Sequence, residues 1–255
     1  MLEICNLSGG YPKKPIFRNI SMTVPNGQIT ALLGPNGCGK STLLKTLCGI
    51  LPPTEGYVLL DGDRILSLPQ NQLSQRVAYL AQDKPVPDIS VQRMILHGRF
   101  PFLSYPRRYR KQDYDIVQDV MQQMGISDLA DKAMNQLSGG QRQQVYIAMA
   151  LAQETPVILL DEPTSYLDIH HQLHLMRQIR DLATRGKTIL MIIHDISHAM
   201  EMADQIVLMD QGIIKMQGTP SQIYDSGFLE NVFHVKLNRV RTDTGWQYYC
   251  KEMTQ

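Results

Sequence analysis

Two kinds of apolar pattern alternate along the chain. Short, nearly continuous apolar runs occur at Ile29-Thr30-Ala31-Leu32-Leu33, Val77-Ala78-Tyr79-Leu80-Ala81, Val157-Ile158-Leu159-Leu160 and Thr188-Ile189-Leu190-Met191-Ile192-Ile193. Runs of this kind predict parallel strands covered on both faces. Between the last two, Ile169, Leu173, Met176, Ile179 and Ala183 recur at helical spacing, and Gly186 supplies the stop. That is a βαβ unit, and it predicts an α/β core. Ahead of the core, Leu2 to Val24 reads as short strands broken by Gly9-Gly10 and by the Lys13-Lys14-Pro15 turn. Asp61-Gly62 marks a hairpin after Tyr57-Val58-Leu59-Leu60.

The pattern changes between about residues 88 and 155. Strand signals vanish there, and Ile116, Val117, Val120, Met121 and Met124 recur at helical spacing, predicting an inserted helical subdomain. Past Ile193 the chain shows a hairpin at Gln211-Gly212, a capped helix at Thr219-Pro220 and a strand-like end near Trp246.

Composition narrows the classes without choosing one. At 255 residues and a formal net charge of +1, the chain carries no global field that would select nucleic acid. The N-terminus lacks a signal-peptide pattern, and no apolar run approaches the ~20 residues of a membrane span. A soluble, cytoplasmic protein is expected. The four cysteines show no C-x-x-C pairing.

The chemistry begins at Gly34-Pro35-Asn36-Gly37-Cys38-Gly39-Lys40-Ser41-Thr42, between the Ile29 strand and a helical segment. Glycines let successive N–H groups turn inward around an anion, and the helix N-terminus adds partial positive charge. Lys40 then reaches the β/γ-phosphates and Ser41 ligates Mg²⁺. This is a nucleoside-triphosphate site. Cys38 within it reads as a small side chain, with a reactive thiol as the alternative.

Asp161 and Glu162 close the Val157 strand, where ligands sit in open α/β sheets. Neighbouring residues of an extended chain point apart, so their roles divide. Asp161 supports Mg²⁺, and Glu162 acts as general base. Leu137-Ser138-Gly139-Gly140-Gln141 is a second anion-ready turn, although such a turn equally opens an ordinary helix. His194 fits either a hydrogen bond to a γ-phosphate or a satisfied strand-end histidine. Tyr11 fits a hydrophobic plug or a stacking platform. His170 and His174 share a helix face without an evident third ligand, so no metal site is assigned there.

In order, the phosphate loop, Gln82, Leu137 to Gln141, Val157 to Glu162, Ser165-Tyr166-Leu167-Asp168 and His194 resemble the motif set of ATP-binding cassette (ABC) ATPases. The resemblance spans Tyr11 to about Val235 and implies a P-loop NTPase core with an N-terminal antiparallel β-subdomain. Residues 1–240 would form one ATPase domain, and 241–255 a short C-terminal extension. It implies that Tyr11 stacks on adenine and that Thr42 joins Lys40 and Ser41 on phosphate and Mg²⁺. It implies that Gln82 links Mg²⁺ and the attacking water to the helical subdomain, Glu162 is the base and His194 the switch. Ser138, Gly139, Gly140 and Gln141 would serve ATP held by a second copy in a homodimer, with Asp168 at the interface.

Gly98-Arg99-Phe100-Pro101-Phe102-Leu103, Asp168-Ile169-His170-His171-Gln172 and Gly218-Thr219-Pro220 add a finer resemblance, to ATPase subunits of bacterial importers for ferric siderophores, haem and vitamin B12. The ferric citrate and ferric hydroxamate members are the nearest in these motifs. Such subunits work with an integral-membrane permease and an extracytoplasmic substrate-binding protein, at the cytoplasmic membrane face. The basic and aromatic segment from Arg99 to Lys111 would then dock on the permease rather than bind nucleic acid. The competing reading is a soluble ABC ATPase acting on nucleic acid or the ribosome.

Overall fold

The structure, a computed structural model, describes residues 1–165, 167–243 and 245–252. From the N-terminus come β1 (Leu2–Tyr11), β2 (Lys14–Val24), β3 (Ile29–Leu33), α1 (Lys40–Leu47), β4 (Pro53–Leu60), β5 (Asp63–Arg64), α2 (Gln70–Ser74) and β6 (Val77–Leu80). Three helices follow: α3 (Val91–Leu96), α4 (Lys111–Met124) and α5 (Gly139–Ala152). Alternation returns with β7 (Val157–Asp161), α6 (Ile169–Thr184), β8 (Thr188–Ile192), α7 (Ile196–Met202), β9 (Gln205–Asp210) and β10 (Ile213–Gly218). Helices α8 (Pro220–Ser226) and α9 (Phe228–Phe233) precede β11 (Val235–Thr242) and β12 (Gly245–Glu252).

Among the described residues the central sheet has the order β10-β9-β3-β8-β7-β6, parallel except for β10. Period-two alternation splits each buried strand between two cores. Ile158 and Leu160 of β7 face the core built with α3, α4, α5 and α6, whereas Val157 and Leu159 face the core shared with α1 and the N-terminal strands. Ile189 and Met191 of β8 divide from Leu190 and Ile192 in the same way. Continuous apolar runs are therefore what this sheet demands.

The N-terminal strands form an antiparallel sheet, β2-β1-β4-β5. Gly9-Gly10 does not break β1 as expected. The strand runs through, and its register shifts on either side of Gly9. At the other end, β11 and β12 pair as one hairpin whose β12 packs on α7. The expected boundary after residue 240 therefore falls inside β11.

Two further expectations change. In α6 the buried positions are Leu175, Ile179, Leu182 and Ala183, while Ile169 and Leu173 are exposed. Its first turns start beyond the end of β7, so the sheet covers only the later turns. Arg99 does not belong to a docking face. It is 5% exposed, and its guanidinium donates to Asp113 at 3.0 Å, Glu154 at 2.7 Å and the Ala152 carbonyl at 2.8 Å. Arg99 ties α4 to the end of α5, and Arg107, Arg108, Arg110 and Lys111 remain exposed.

Candidate active site

Sheet order assembles the site. Strands β3, β8, β7 and β6 lie side by side and parallel, so the loops carrying Gly34, His194, Glu162 and Gln82 leave the same edge. Neighbouring strands are about 4.8 Å apart, which brings the side chains of these loops within mutual reach.

Glu162 is the convergence point. It follows β7 with φ +50°, a left-handed conformation unusual for glutamate and one that clusters at functional sites. The turn swings its carboxylate away from the direction of Asp161. Gln82 Nε2 donates to Oε2, Ser165 Oγ donates to Oε2 at 3.0 Å, and His194 Nε2 lies 2.5 Å from Oε1. Two neighbouring loops and its own following turn thus hold a single carboxylate.

Asp161 faces α1. The Ser41 hydroxyl donates to its Oδ1 at 3.0 Å, and the Tyr79 hydroxyl donates to its Oδ2 at 3.0 Å. Burial pushes the Asp161 carboxyl above the usual carboxylate range, and these two hydrogen bonds oppose the shift. Sequence reasoning missed Tyr79. The available signal was one polar tip inside an otherwise apolar edge strand.

The phosphate loop closes around Lys40, which is 6% exposed. Its ammonium donates to the carbonyls of Gly34 at 2.6 Å and Pro35 at 2.9 Å. Gly39 caps α1 at φ +109°, which a side chain rarely adopts. Cys38 Sγ lies 3.9 Å from Lys40 Nζ. Burial nevertheless holds the thiol above its ordinary range, so it is protonated at neutral pH. A cavity of about 320 Å³ joins Asn36, Gly37, Gly39, Lys40, Ser41 and Thr42 to Glu162 and to Lys14. Tyr11 pairs with Lys14 across the hairpin but does not line this cavity, and its ring is exposed.

Ser138, Gly139, Gly140 and Gln141 do not line it either. They open α5 as a reciprocal cap: Gln141 N–H donates to Ser138 Oγ at 3.3 Å, and Ser138 N–H donates to Gln141 Oε1 at 3.1 Å. Asp168 caps α6, accepting from the His171 N–H at 2.9 Å. The His171 ring then lies directly on Gly140, where a Cβ would come within 2.4 Å of ring atom Cδ2. The Ser138–Gln141 turn, the signature turn, and the start of α6 are therefore in contact within one chain. Tyr166, part of the motif before Asp168, lies outside the described residues.

A second cavity, of about 290 Å³, lies on the far side of Glu162, lined by Gln82, Lys84, Arg142, Gln143, Tyr146 and Ser165 among others. Lys84, Gln143 and Tyr146 were not singled out from sequence. Their signal is weak, because glutamine and tyrosine on a helix are ordinary surface residues.

With this geometry in place, the ABC transporter family model matches residues 17–165. The ferric enterobactin transport ATP-binding protein FepC of Escherichia coli (strain K12) is 40% identical, over 90% of this chain and 86% of that protein. The iron(3+)-hydroxamate import ATP-binding protein FhuC of Bacillus subtilis (strain 168) is 38% identical, over 89% of this chain and 85% of its own length. Among solved structures, an inward-facing transporter assigned to the metal-chelate type superposes with TM-score 0.86 at 28% identity, covering 100% of this chain and 98% of its own. A dimeric post-hydrolysis structure of the ATP-binding cassette MJ0796, bound to ADP and Pi, gives 0.74 at 25% identity, over 86% of this chain and 99% of that one. This chain belongs to the ABC transporter family, as one of its ATP-binding ATPases. Among the described residues no helix is long and apolar enough to cross a membrane.

Proposed function

We propose that this chain is the ATP-hydrolysing subunit of a bacterial importer for a ferric siderophore or related metal chelate. The observation that carries the catalytic half is the convergence of Gln82, Ser165 and His194 on the Glu162 carboxylate. A carboxylate offers about four acceptor positions, so three donors leave one for the hydrogen of an attacking water. Glu162 is the general base, His194 and Gln82 hold it and the water in line, and Lys40 meets the β/γ-phosphates.

Mg²⁺ fits the donor set beside them. Ser41 and Asp161 present hard oxygen ligands 3.0 Å apart at the end of the phosphate loop, with Gln82 in the loop that follows the adjacent strand β6. Bound there, the ion neutralises charge on the phosphates. Tyr11 would stack on adenine, its exposed ring standing beside the Lys14 wall of the cavity.

The position of the Ser138–Gln141 turn supports a dimer. That turn is ready for an anion yet lies outside its own chain's phosphate cavity. A second copy, head to tail, would bring it to the γ-phosphate, with Asp168 at the interface. The similar MJ0796 cassette, itself dimeric with ADP and Pi bound, supports a dimer for this chain.

A groove of about 610 Å³ between core and helical segment supports docking on a membrane permease. Ile50, Gln70, His97 and Phe100 line it, and Arg107 stacks over Phe100 at 4.6 Å. The chain would sit peripherally at the cytoplasmic membrane face, and an extracytoplasmic binding protein would deliver the chelate. The testing experiment is to purify the complex with its permease in vesicles and add ferric siderophore, haem or corrinoid with the binding protein. Stimulation of ATPase activity by an iron chelate is expected. Stimulation by nucleic acid and by no chelate would favour the soluble-ATPase reading instead. Changing Arg107, Arg108 and Arg110 to Glu should weaken permease association and leave ATP affinity intact.

A further inference from the structure

Sequence spacing pairs His170 with His174 and finds no third ligand. The fold assembles a different set. Asp168, His170 and His171 each present a ligand atom, all within 4.8 Å of one another. His171 Nδ1 lies 2.8 Å from both carboxylate oxygens of Asp168. The His170 ring meets the His171 ring edge-on, with centroids 5.6 Å apart.

We propose that Asp168, His170 and His171 form a divalent transition-metal site at the start of α6, through which a cytoplasmic metal ion slows the ATPase. Two imidazoles and a carboxylate, with one position left open, match the ligand chemistry of Zn²⁺ and of neighbouring first-row ions. Ligand bonds of about 2.0–2.1 Å in a tetrahedral site put the ligand atoms about 3.3 Å apart. The 2.8 Å between Asp168 and His171, and the 4.8 Å that no pair in the set exceeds, lie on either side of that value. The positive end of α6 opposes a cation there, and the Asp168 carboxylate offsets it. Neutral imidazole nitrogen and carboxylate oxygen are the ligand forms such ions take, and their binding changes no oxidation state.

The position gives the site its consequence. The His171 ring lies on Gly140 of the signature turn, and in the proposed dimer Asp168 would lie at the interface. A metal bridging the three side chains would lock the Asp168 loop against that turn and remove Asp168 from the dimer contact. This inhibitory effect rests on the dimeric reading above, but metal binding itself does not.

The test is titration of the full chain, without nucleotide, with Zn²⁺ and with Co²⁺ as spectroscopic probe. One ion should bind per chain, giving visible Co²⁺ bands of nitrogen and oxygen ligation without thiolate charge transfer. His170→Gln and His171→Gln should each weaken binding by about 10-fold or more, while His174→Gln leaves it unchanged. Zn²⁺ should slow the ATPase of the wild type but not of His170→Gln, whose metal-free rate should equal that of the wild type. The site is overturned if binding is insensitive to His170→Gln, if His174→Gln weakens it equally, or if thiolate bands appear. Binding that requires His170 but leaves the ATPase rate untouched overturns the inhibitory role alone.

Discussion

Lys84 donates to Gln143 Oε1 at 2.9 Å, and the Nε2 of the same amide donates to the Pro163 carbonyl at 2.6 Å. One glutamine of α5 thereby bridges the segment after Gln82 and the peptide after Glu162. Tyr146, three residues on, reinforces the bridge: its hydroxyl donates to the Pro85 carbonyl at 2.7 Å, and its ring lies 5.1 Å from the Lys84 ammonium. The helix that begins at the signature turn is thus fastened to both sides of the candidate base. Gln143→Leu preserves volume but leaves a cation and a carbonyl short of a partner, a loss of about 1–3 kcal/mol. Gln143→Leu and Lys84→Met should each lower kcat with little change in KM for ATP. Steady-state kinetics of a double-mutant cycle should show them non-additive, because they share one bond. Additive effects would mean that the bridge does not couple the two sides.

The same lysine makes stability depend on pH. Burial lowers its pKa from 10.5 to about 8. Between those values the unfolded chain binds more protons than the folded one, so stability rises with pH across that window and the lysine penalises folding below it. Melting temperatures of wild type and Lys84→Met, compared from pH 7 to pH 10, should show the wild type gaining relative to the variant as pH rises. A constant difference would contradict the burial of this cation.

Arg99 supplies a stability test of the helical segment. Removing it strands the buried Asp113 carboxylate, which is 6% exposed, and frees the Ala152 carbonyl. Arg99→Ala should destabilise the chain by about 3 kcal/mol in urea unfolding. An effect near zero would return Arg99 to the surface cluster in which sequence alone places it.

Gly140 supplies a steric test. An added methyl would meet the His171 ring at 2.4 Å, which forces the ring or the turn to move. Gly140→Ala should therefore impair ATPase activity, and His171→Ala in the same chain should restore part of it by opening the space. Enzymatic rates of the single and double variants settle the point; no restoration would place the defect elsewhere.

Much of this site could be read from the chain because its chemistry is local. The phosphate loop needs glycines and a lysine at fixed offsets, and Asp161 and Glu162 follow directly from a buried strand. The Gln82 side chain could be placed as well, since a strand must deliver it to the same edge. What stayed hidden depends on distant partners. Nothing near Tyr79 announces a bond to Asp161, 82 residues away. Nothing around Arg99 distinguishes a buried arginine from the exposed ones that follow it. At Ile169 and Leu173 helical periodicity predicts burial that the fold does not supply, because periodicity does not tell where the supporting sheet ends. Gly9-Gly10 illustrates the reverse limit: glycines that signal a break can instead sit in a bulge when two neighbours hold the strand.

A base at Glu162, in a site that a second copy of the chain completes, is the proposal on which the rest depends. The direct measurement is ATP turnover and ATP-dependent association of Glu162→Gln, the latter by light scattering. The amide keeps the size of the side chain and removes its basicity. Hydrolysis should fall by about 10²–10⁴-fold, with ATP retained in a stable dimer. Wild-type turnover by Glu162→Gln, or a chain that stays monomeric with ATP bound, would contradict it.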